Sequence, residues 1–563
     1  MYDFKTNKMN IKKYTKALII SGITIAGLSL ASFSDPGERF FDIAKNLDIY
    51  ATLFKELNRY YVDEINPNKT VKTSIDAMLK SFDPYTVYYA EDDIEDYMTM
   101  TTGKYNGIGI VTGNRNGRIM IMLIDEGTPA EKAGLKIGDE IVKVDGVDLK
   151  SKRGLDPGKL IKGQTGTSVK LTVKRYGTDK LEDIAVTRDV VKMKNVPYYG
   201  MINDEVGYID LKDFTGTASK EVRQAFTELK AKGMKKLVLD LRENPGGLLN
   251  MAVDICNIFL PKESEIVSTK GKVQEWNKTY TGLNPAMDTE MPISVLTNSR
   301  SASAAEIVSG VIQDYDRGVL IGQRTYGKGL VQVTRDLTYN TKLKVTTAKY
   351  YIPSGRCIQA IDYQHRNPDG SVGKLPDSLK RPFKTKKSGR TVYDGGGVLP
   401  DIEIEKPLPA AVTMSLSNKY ILFDYAIKYH FDHPTIKSAK DFELSAAEYQ
   451  DFVKWAITQE FDYTTQAEKD LNVLEASAKK ERYFDVVSEQ LKALRSKLSH
   501  SKEQDMMKFK DEIKTALEQE IIVHYYLQKG TREQSFAKDP EIQSALKLFS
   551  NMNRYQAILK GEK

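Results

Sequence analysis

The stretch SRSASAAEIVSG, Ser299 to Gly310, sets four serines and one carboxylate, Glu306, at the head of an apolar helical pattern. Ala305, Ile307 and Val308, followed by Ile312, have the spacing of one buried helix face. One serine suffices to cap a helix N-terminus. So crowded a stretch reads either as a small-residue turn where backbone packs closely, or as a serine nucleophile held at a helix N-terminus. The neighbouring segments bear on the choice.

Downstream, EIVSGVIQDYD continues the helix and GVLIG reads as a short buried strand ending at Gly322. GQRTYGKGLVQV then places Lys328 between Gly327 and Gly329, where glycine lets backbone approach another segment closely. Upstream, KKLVLDLRENPGGLLNMAVDI gives a strand over Leu237–Leu241, a Gly-Gly turn and a helix from about Leu248. Amides exposed at such a turn, beside the positive end of a helix dipole, suit a developing oxyanion; a plain strand-to-helix turn is the simpler reading of the glycines alone.

Five histidines, His365, His430, His433, His500 and His524, all lie in the distal third. A Ser-His-Asp triad is therefore disfavoured, although triad order varies between folds. The other base for a serine is a lysine held neutral. No Cys/His cluster with metal-ligand spacing occurs, so no metal and no cofactor are expected. Cys256 lies on the apolar face of LLNMAVDICNIFL, and both it and Cys357 read as free thiols, without a disulfide being excluded.

Together, SASAAEIVSGVIQD, GQRTYGKGLVQ and DLRENPGG resemble the carboxy-terminal processing (tail-specific) proteases, a family of serine peptidases. The resemblance implies an α/β protease core of the crotonase-like type. It makes Ser303 the nucleophile and Lys328, 25 residues later, the general base. It gives Gln332 the role of orienting the lysine, and the amides of Ala304 and of Gly246 or Gly247 the role of oxyanion hole. Arg300 stands where the family often has glycine, which bears on local loop shape only.

The resemblance runs over residues 45–405. SFDPYTVYYAEDDIEDY looks like the segment before the family's PDZ domain, and KYNGIGIVTG with EGTPAEKAGLKIGDEIVKVDGVDL resembles that domain itself. Read from the residues, a glycine-containing loop, Tyr105, Asn106, Gly107, Ile108, Gly109 and Ile110, feeds a strand. Such a loop can offer amides to a peptide carboxylate while the strand edge pairs with the peptide. RGLDPGKLIKGQTG, with Pro157 and Gly158 near its start, reads as the second PDZ helix and leaves the groove lining open.

Residues beyond 405 read as helical. Ser445 to Glu448 forms a capping box, and Val487, Leu491, Leu494 and Leu498, like Ile513, Leu517, Ile521 and Tyr525, form stripes of core or dimer contacts. An adaptor docked on these helices is a further partner reading. At the other end, a basic stretch to Lys16 precedes ALIISGITIAGLSLA, residues 17–31, with Ser29 and Ala31 placed for cleavage after Ala31. Export through a cleaved signal, or retention by an uncleaved anchor in the cell envelope or periplasm, follows.

The expected domains are 1–33 signal or anchor, 38–100 helical, 101–192 PDZ, 193–405 protease core and 406–563 helical. Five lysines of the net charge of +7 lie in the leader against one aspartate, so the body is nearly neutral and nucleic acid is not an expected partner. The expected function is an exported serine endopeptidase. It would capture chains with apolar C-termini and cleave near them, with homo-oligomerisation through its helices. A non-catalytic PDZ scaffold or chaperone, or a hydratase on the same core, are the alternatives.

Overall fold

The structure, a computed structural model, describes residues 36–150, 156–367, 371–405, 408–498 and 501–562. The leader with its apolar run 17–31, the start of the second PDZ helix stretch at 151–155, and His500 lie outside these residues. Among the described residues no helix is long and apolar enough to cross a membrane.

The chain divides into two compact units at Ser81. The first contains the helices Pro36–Tyr60 and Pro67–Lys80. The second of these starts as its sequence dictates: Asn66 accepts the Lys69 amide at 3.1 Å and Pro67 occupies the first helical position, where its missing N–H costs nothing.

In the second unit the core is a six-stranded sheet. Val206–Asp210, Lys236–Asp240, Ile293–Thr297, Val319–Gly322 and Ile402–Glu403 run parallel in that order, and Tyr198–Met201 adds antiparallel at one edge. The first four follow one another in sequence as they do in space. With right-handed crossovers, a sheet that grows in one direction sends every connecting helix to the same face. Helices Ala218–Ala231, Leu249–Phe259 and Ala304–Asp314 accordingly pack together on the face carrying Ile209, Leu239, Val295 and Leu320.

That winding leaves the opposite face, with Tyr208, Val238, Leu296 and Ile321, without a cover of its own. The C-terminal helices Pro540–Ser550 and Met552–Lys560 provide it, through Ile542, Phe549 and Tyr555. The strand sequences signal this: VGYID, KLVLD, ISVLT and VLIG are apolar nearly throughout instead of alternating, the pattern of strands buried on both faces. Of the stripes beyond residue 405, Ile513, Leu517, Ile521 and Tyr525 pack into a helical core, whereas Leu494 of the other is exposed; Ile542 and Phe549 belong to the core of the parallel sheet.

A second, antiparallel sheet stands beside the first. Its long strand Lys342–Tyr351 pairs with Leu330–Asp336, Glu265–Gly271 and Val87–Tyr89. Residues 38–100 were expected to be helical; Val87–Tyr89 is a strand because its partner edge, Lys342–Lys344, lies in the core.

The segment between these parts forms a separate β-rich fold around Ile121, Ile141, Val169, Leu171 and Val173. Its entry and exit, Lys104–Gly107 and Asp189–Lys192, pair with each other, as an inserted domain requires. The helix Ile421–Asp432 supplies Phe423 and Ile427 to this core, and its Asp424 is ion-paired with Arg115. Cys256 is buried and Cys357 half-buried, both as free thiols.

Truncation of Phe549, 2% exposed between sheet and helix, leaves a cavity in this second layer. Phe549→Ala is expected to cost about 3–5 kcal/mol, read as a lower denaturant midpoint with little change in slope.

Candidate active site

Loops at the C-terminal ends of the parallel strands converge, where ligands of parallel α/β sheets are held. They line a cleft of about 560 Å³ with Ser303, Ala304, Gly246, Gly247, Lys328 and Gln332 all in its wall. Six residues read from sequence as catalytic are thus brought together.

The four serines of Ser299–Gly310 divide by what their hydroxyls do. Ser299 is exposed. Ser301 Oγ donates to Leu241 O at 2.7 Å and accepts the Asn298 amide at 3.0 Å, tying two strand ends together. Ser309 Oγ donates to Glu306 O at 3.3 Å. Ser303 occupies the N-cap of helix Ala304–Asp314, yet its hydroxyl makes no capping bond. Its backbone is left-handed, φ 55° and ψ −114°, a conformation that costs a non-glycine residue about 1–3 kcal/mol. A cap would need neither the strain nor the idle hydroxyl.

Glu306 holds the geometry. Fully buried, it accepts the amides of Ser303 at 2.8 Å, Gly327 at 2.7 Å and Lys328 at 2.8 Å, and the Thr325 hydroxyl at 2.5 Å. Ser303 and Lys328 share one carboxylate oxygen, Oε2. Burial pushes the carboxyl from 4.5 up to about 7, against four donors that favour the ionised form. Tyr350 repeats the clamp from the other side: its hydroxyl donates to Lys328 O at 2.7 Å and lies 3.1 Å from Ser303 O.

Lys328 is half-buried, with its Nζ 4.4 Å from the centre of the Tyr85 ring. Burial first, and the Lys344 charge with it, lower its ammonium from 10.5 to about 8, against the opposing pull of Glu306 and Asp83. Asp83 is fixed by the amides of Tyr85 and Thr86, both at 2.8 Å, and by the Thr86 hydroxyl at 3.0 Å. The Gln332 side chain donates to Thr346 Oγ1 at 3.1 Å and so faces the cleft from a braced position.

The glycine turn is pressed against the serine. A Cβ at Gly246, φ +97°, would stand 2.7 Å from Ala302 O and 2.9 Å from Ala304 N, so no side chain fits. Its amide donates to Asn244 Oδ1 at 2.8 Å, while its carbonyl accepts the Phe214 amide at 3.2 Å. Across that trans peptide the Gly247 N–H points away from Phe214. Ala304, first in its helix, has no intrahelical acceptor for its own N–H.

Arg242, on the same loop, reaches the other way. It is buried and paired with Asp240 at 2.6 Å, with Asp539 at 2.7 Å and with Glu541 at 3.2 Å. The start of the C-terminal helix Pro540–Ser550 is thereby tied to the loop that carries Gly246. Arg300 pairs with Glu243 at 2.9 Å on the exposed rim.

In the inserted domain, Tyr105, Gly107, Ile108, Gly109 and Ile110 line a groove of about 210 Å³, closed on its far side by Gly158 and Ile161 of the short helix Pro157–Ile161. Asn106 is not in its wall; its side chain meets Thr165 Oγ1 at 3.1 Å. The carbonyls of Ile108 and Gly109 accept the amides of Ala130 and Asp125 at 2.9 and 3.0 Å. Across trans peptides the N–H groups of Gly109 and Ile110 therefore point away from that turn.

Peptidase family S41 matches residues 205–369, the PDZ domain family residues 106–186, and the family described as "Probable PDZ-protease, C-terminal helical domain" residues 412–549. The carboxy-terminal-processing protease of Bartonella bacilliformis is 34% identical over 369 residues, 65% of this chain and 76% of its own length. The chain belongs to the carboxy-terminal-processing proteases, peptidase family S41. A probable CtpA-like serine protease of Staphylococcus aureus (strain MRSA252) is 36% identical over 360 residues, 61% of this chain and 71% of that one. A solved photosystem II D1 C-terminal processing protease aligns with 63% of the chain and 92% of its own at 25% identity, with a TM-score of 0.34.

As a carboxy-terminal-processing protease, the chain is a serine-type peptidase with a PDZ domain. Sequence reasoning gave no role to Glu306, Tyr350, Thr325 or Asp83, which brace the loops around the cleft. Glu306 did carry a signal, as a carboxylate in the first turn of a helix buried along its whole length.

The clamp predicts an asymmetric response. Glu306→Gln replaces one acceptor oxygen by a donor facing donors, stranding two of four hydrogen bonds. The expected cost is about 1–3 kcal/mol per stranded group with a marked loss of peptidase activity, measured by unfolding and by kcat on the same preparation.

Proposed function

We propose that this chain is an exported endopeptidase with a Ser303–Lys328 dyad, on a core of the crotonase-like type, and that its PDZ domain captures the C-termini of its substrates. One observation carries the reading: the amides of the two residues bind a single carboxylate oxygen of Glu306, while the Ser303 hydroxyl is left uncommitted.

In the proposed chemistry neutral Lys328 takes the Ser303 proton as Oγ attacks the scissile carbonyl. The amides of Ala304 and Gly247 receive the oxyanion; Gly246, with its amide engaged, shapes the turn. Gln332 orients the lysine during the cycle. Lys328 returns the proton to the leaving amine, and water then releases the acyl-enzyme by the reverse sequence. Apolar Leu248, Leu249, Ile307 and Leu330 in the cleft wall favour an apolar residue at the cleaved bond.

Substrates are protein chains with a free, apolar C-terminus. The carboxylate is received by the amides of Gly109 and Ile110, and the last side chain by the apolar groove beside Ile161. Export, with the enzyme in the periplasm or cell envelope, rests on the leader sequence. A homo-oligomer or an adaptor on the helices is the partner reading.

Ser303→Ala and Lys328→Ala are each expected to abolish cleavage of an unfolded polypeptide while the protein stays folded. Lys328→Arg fails too, because a guanidinium keeps its proton. EDTA leaves activity unchanged. Full activity in Lys328→Arg, or zinc-dependent recovery after EDTA, would overturn the dyad.

For the PDZ step, a model peptide binds full-length Ser303→Ala protein more tightly as the free acid than as the C-terminal amide, measured by fluorescence anisotropy. The difference is that of a few charge-assisted hydrogen bonds, roughly 1.5–3 kcal/mol. Equal affinity removes carboxylate capture and leaves the dyad untouched.

A further inference from the structure

A second lysine, Lys344, lines the catalytic cleft with Lys328. It lies on the central strand Lys342–Tyr351, opposite Val87 on one side and Thr334 on the other. Val87 is two residues from Tyr85, whose ring carries Lys328 Nζ, and Thr334 is two residues from Gln332. The two lysines therefore meet on the same wall, Lys344 from the strand and Lys328 from the loop before Leu330. Lys342, on the same face of the strand, is paired with Asp336. Among the described residues Lys344 has no carboxylate partner, although it is half-buried.

A cation placed so is costly to folding, since half-burial weakens its hydration and no ion pair offsets the loss. The charged groups facing Lys328 are Lys344, Glu306 from the nucleophile helix and Asp83 from the turn before Val87. The two carboxylates draw a proton toward Lys328, and both are needed for other bonds: Glu306 for the loop clamp, Asp83 for the Tyr85–Thr86 turn. Tyr85, Tyr350 and Tyr363 are held neutral by burial. Asp213 also lines the cleft, and burial raises its carboxyl. Lys344 is thus the positive group set against two obligatory carboxylates.

We infer that Lys344 is a positioning residue that acts through Lys328: its positive charge repels a second proton and keeps Lys328 in the neutral form that accepts the Ser303 proton. Burial lowers both lysines and their repulsion is mutual, so the pair sheds its first proton at a lower pH than an isolated lysine would. The inference rests on Lys328 being the base.

The test is the pH dependence of kcat/KM, between pH 6 and 10.5, on an unfolded polypeptide with the full-length enzyme, Lys344→Met, Lys344→Gln and Lys344→Arg. The neutral replacements are expected to move the midpoint up by about one unit, giving roughly tenfold lower activity on the acid side, regained on the alkaline plateau. Lys344→Arg keeps the wild-type midpoint. If Lys344→Met does not fold, the near-isosteric Lys344→Gln carries the test. An unshifted midpoint in the neutral variants, whatever their amplitude, overturns the inference. If Lys328→Arg is still inactive in that case, only the role of Lys344 falls; an active Lys328→Arg overturns the base assignment itself.

Discussion

A single buried carboxylate governs this site. Glu306 has two oxygens and meets four donors, three of them backbone amides from two loops. Amides cannot be left unpaired in a dry interior without a cost of about 1–3 kcal/mol each. The loops bearing Ser303 and Lys328 are therefore fixed relative to one another before any substrate arrives. The strained φ of Ser303 persists because its own amide is one of those bonds. The clamp takes Ser303 and Lys328 by their main chain only, so both of their side chains stay outside it.

The sheet makes the clamp possible. Parallel strands laid down in one direction carry all their C-terminal loops to one end, and the crossover hand collects the helices on one face. The same rule exposes the other face, which Phe536 and the helices after Asp539 cover. Arg242 links that cover to the glycine loop through Asp539 and Glu541. The C-terminal helices are thus part of the catalytic unit, and one of the helices before them, Ile421–Asp432, completes the core of the PDZ domain. Stability of the site and placement of the substrate reader depend on the same region.

Much of this was legible in the chain. The S-A-S, G-K-G and N-P-G-G stretches named the residues that meet in the cleft, because each combines a special backbone need with an unusual side chain. Legibility failed where a residue acts at long range in sequence. Tyr350 and Asp83 look like ordinary strand and turn residues until the fold brings them to Lys328. Of the two glycines in the turn, only geometry separates Gly246, whose amide Asn244 occupies, from Gly247. The expected helical span 38–100 hid the strand Val87–Tyr89, since a three-residue strand carries no period of its own and is defined by its partner. Asn106, read as part of the carboxylate loop, faces away from the groove because strand pairing with Val190 fixes its side.

The account turns on Lys328 losing its proton within the working range of the enzyme, because a charged lysine cannot act as a base. Burial and the Lys344 charge lower it to about 8, and in the proposed chemistry the reactive form is the neutral one, so activity is expected to rise as pH climbs through that value. The decisive measurement is the pH dependence of kcat/KM for the unmodified full-length enzyme. The predicted result is a single ionisation on the acid side, with its midpoint near 8. A midpoint near 6.5, the ordinary value of histidine, or a flat profile across pH 6 to 10, would contradict a lysine base.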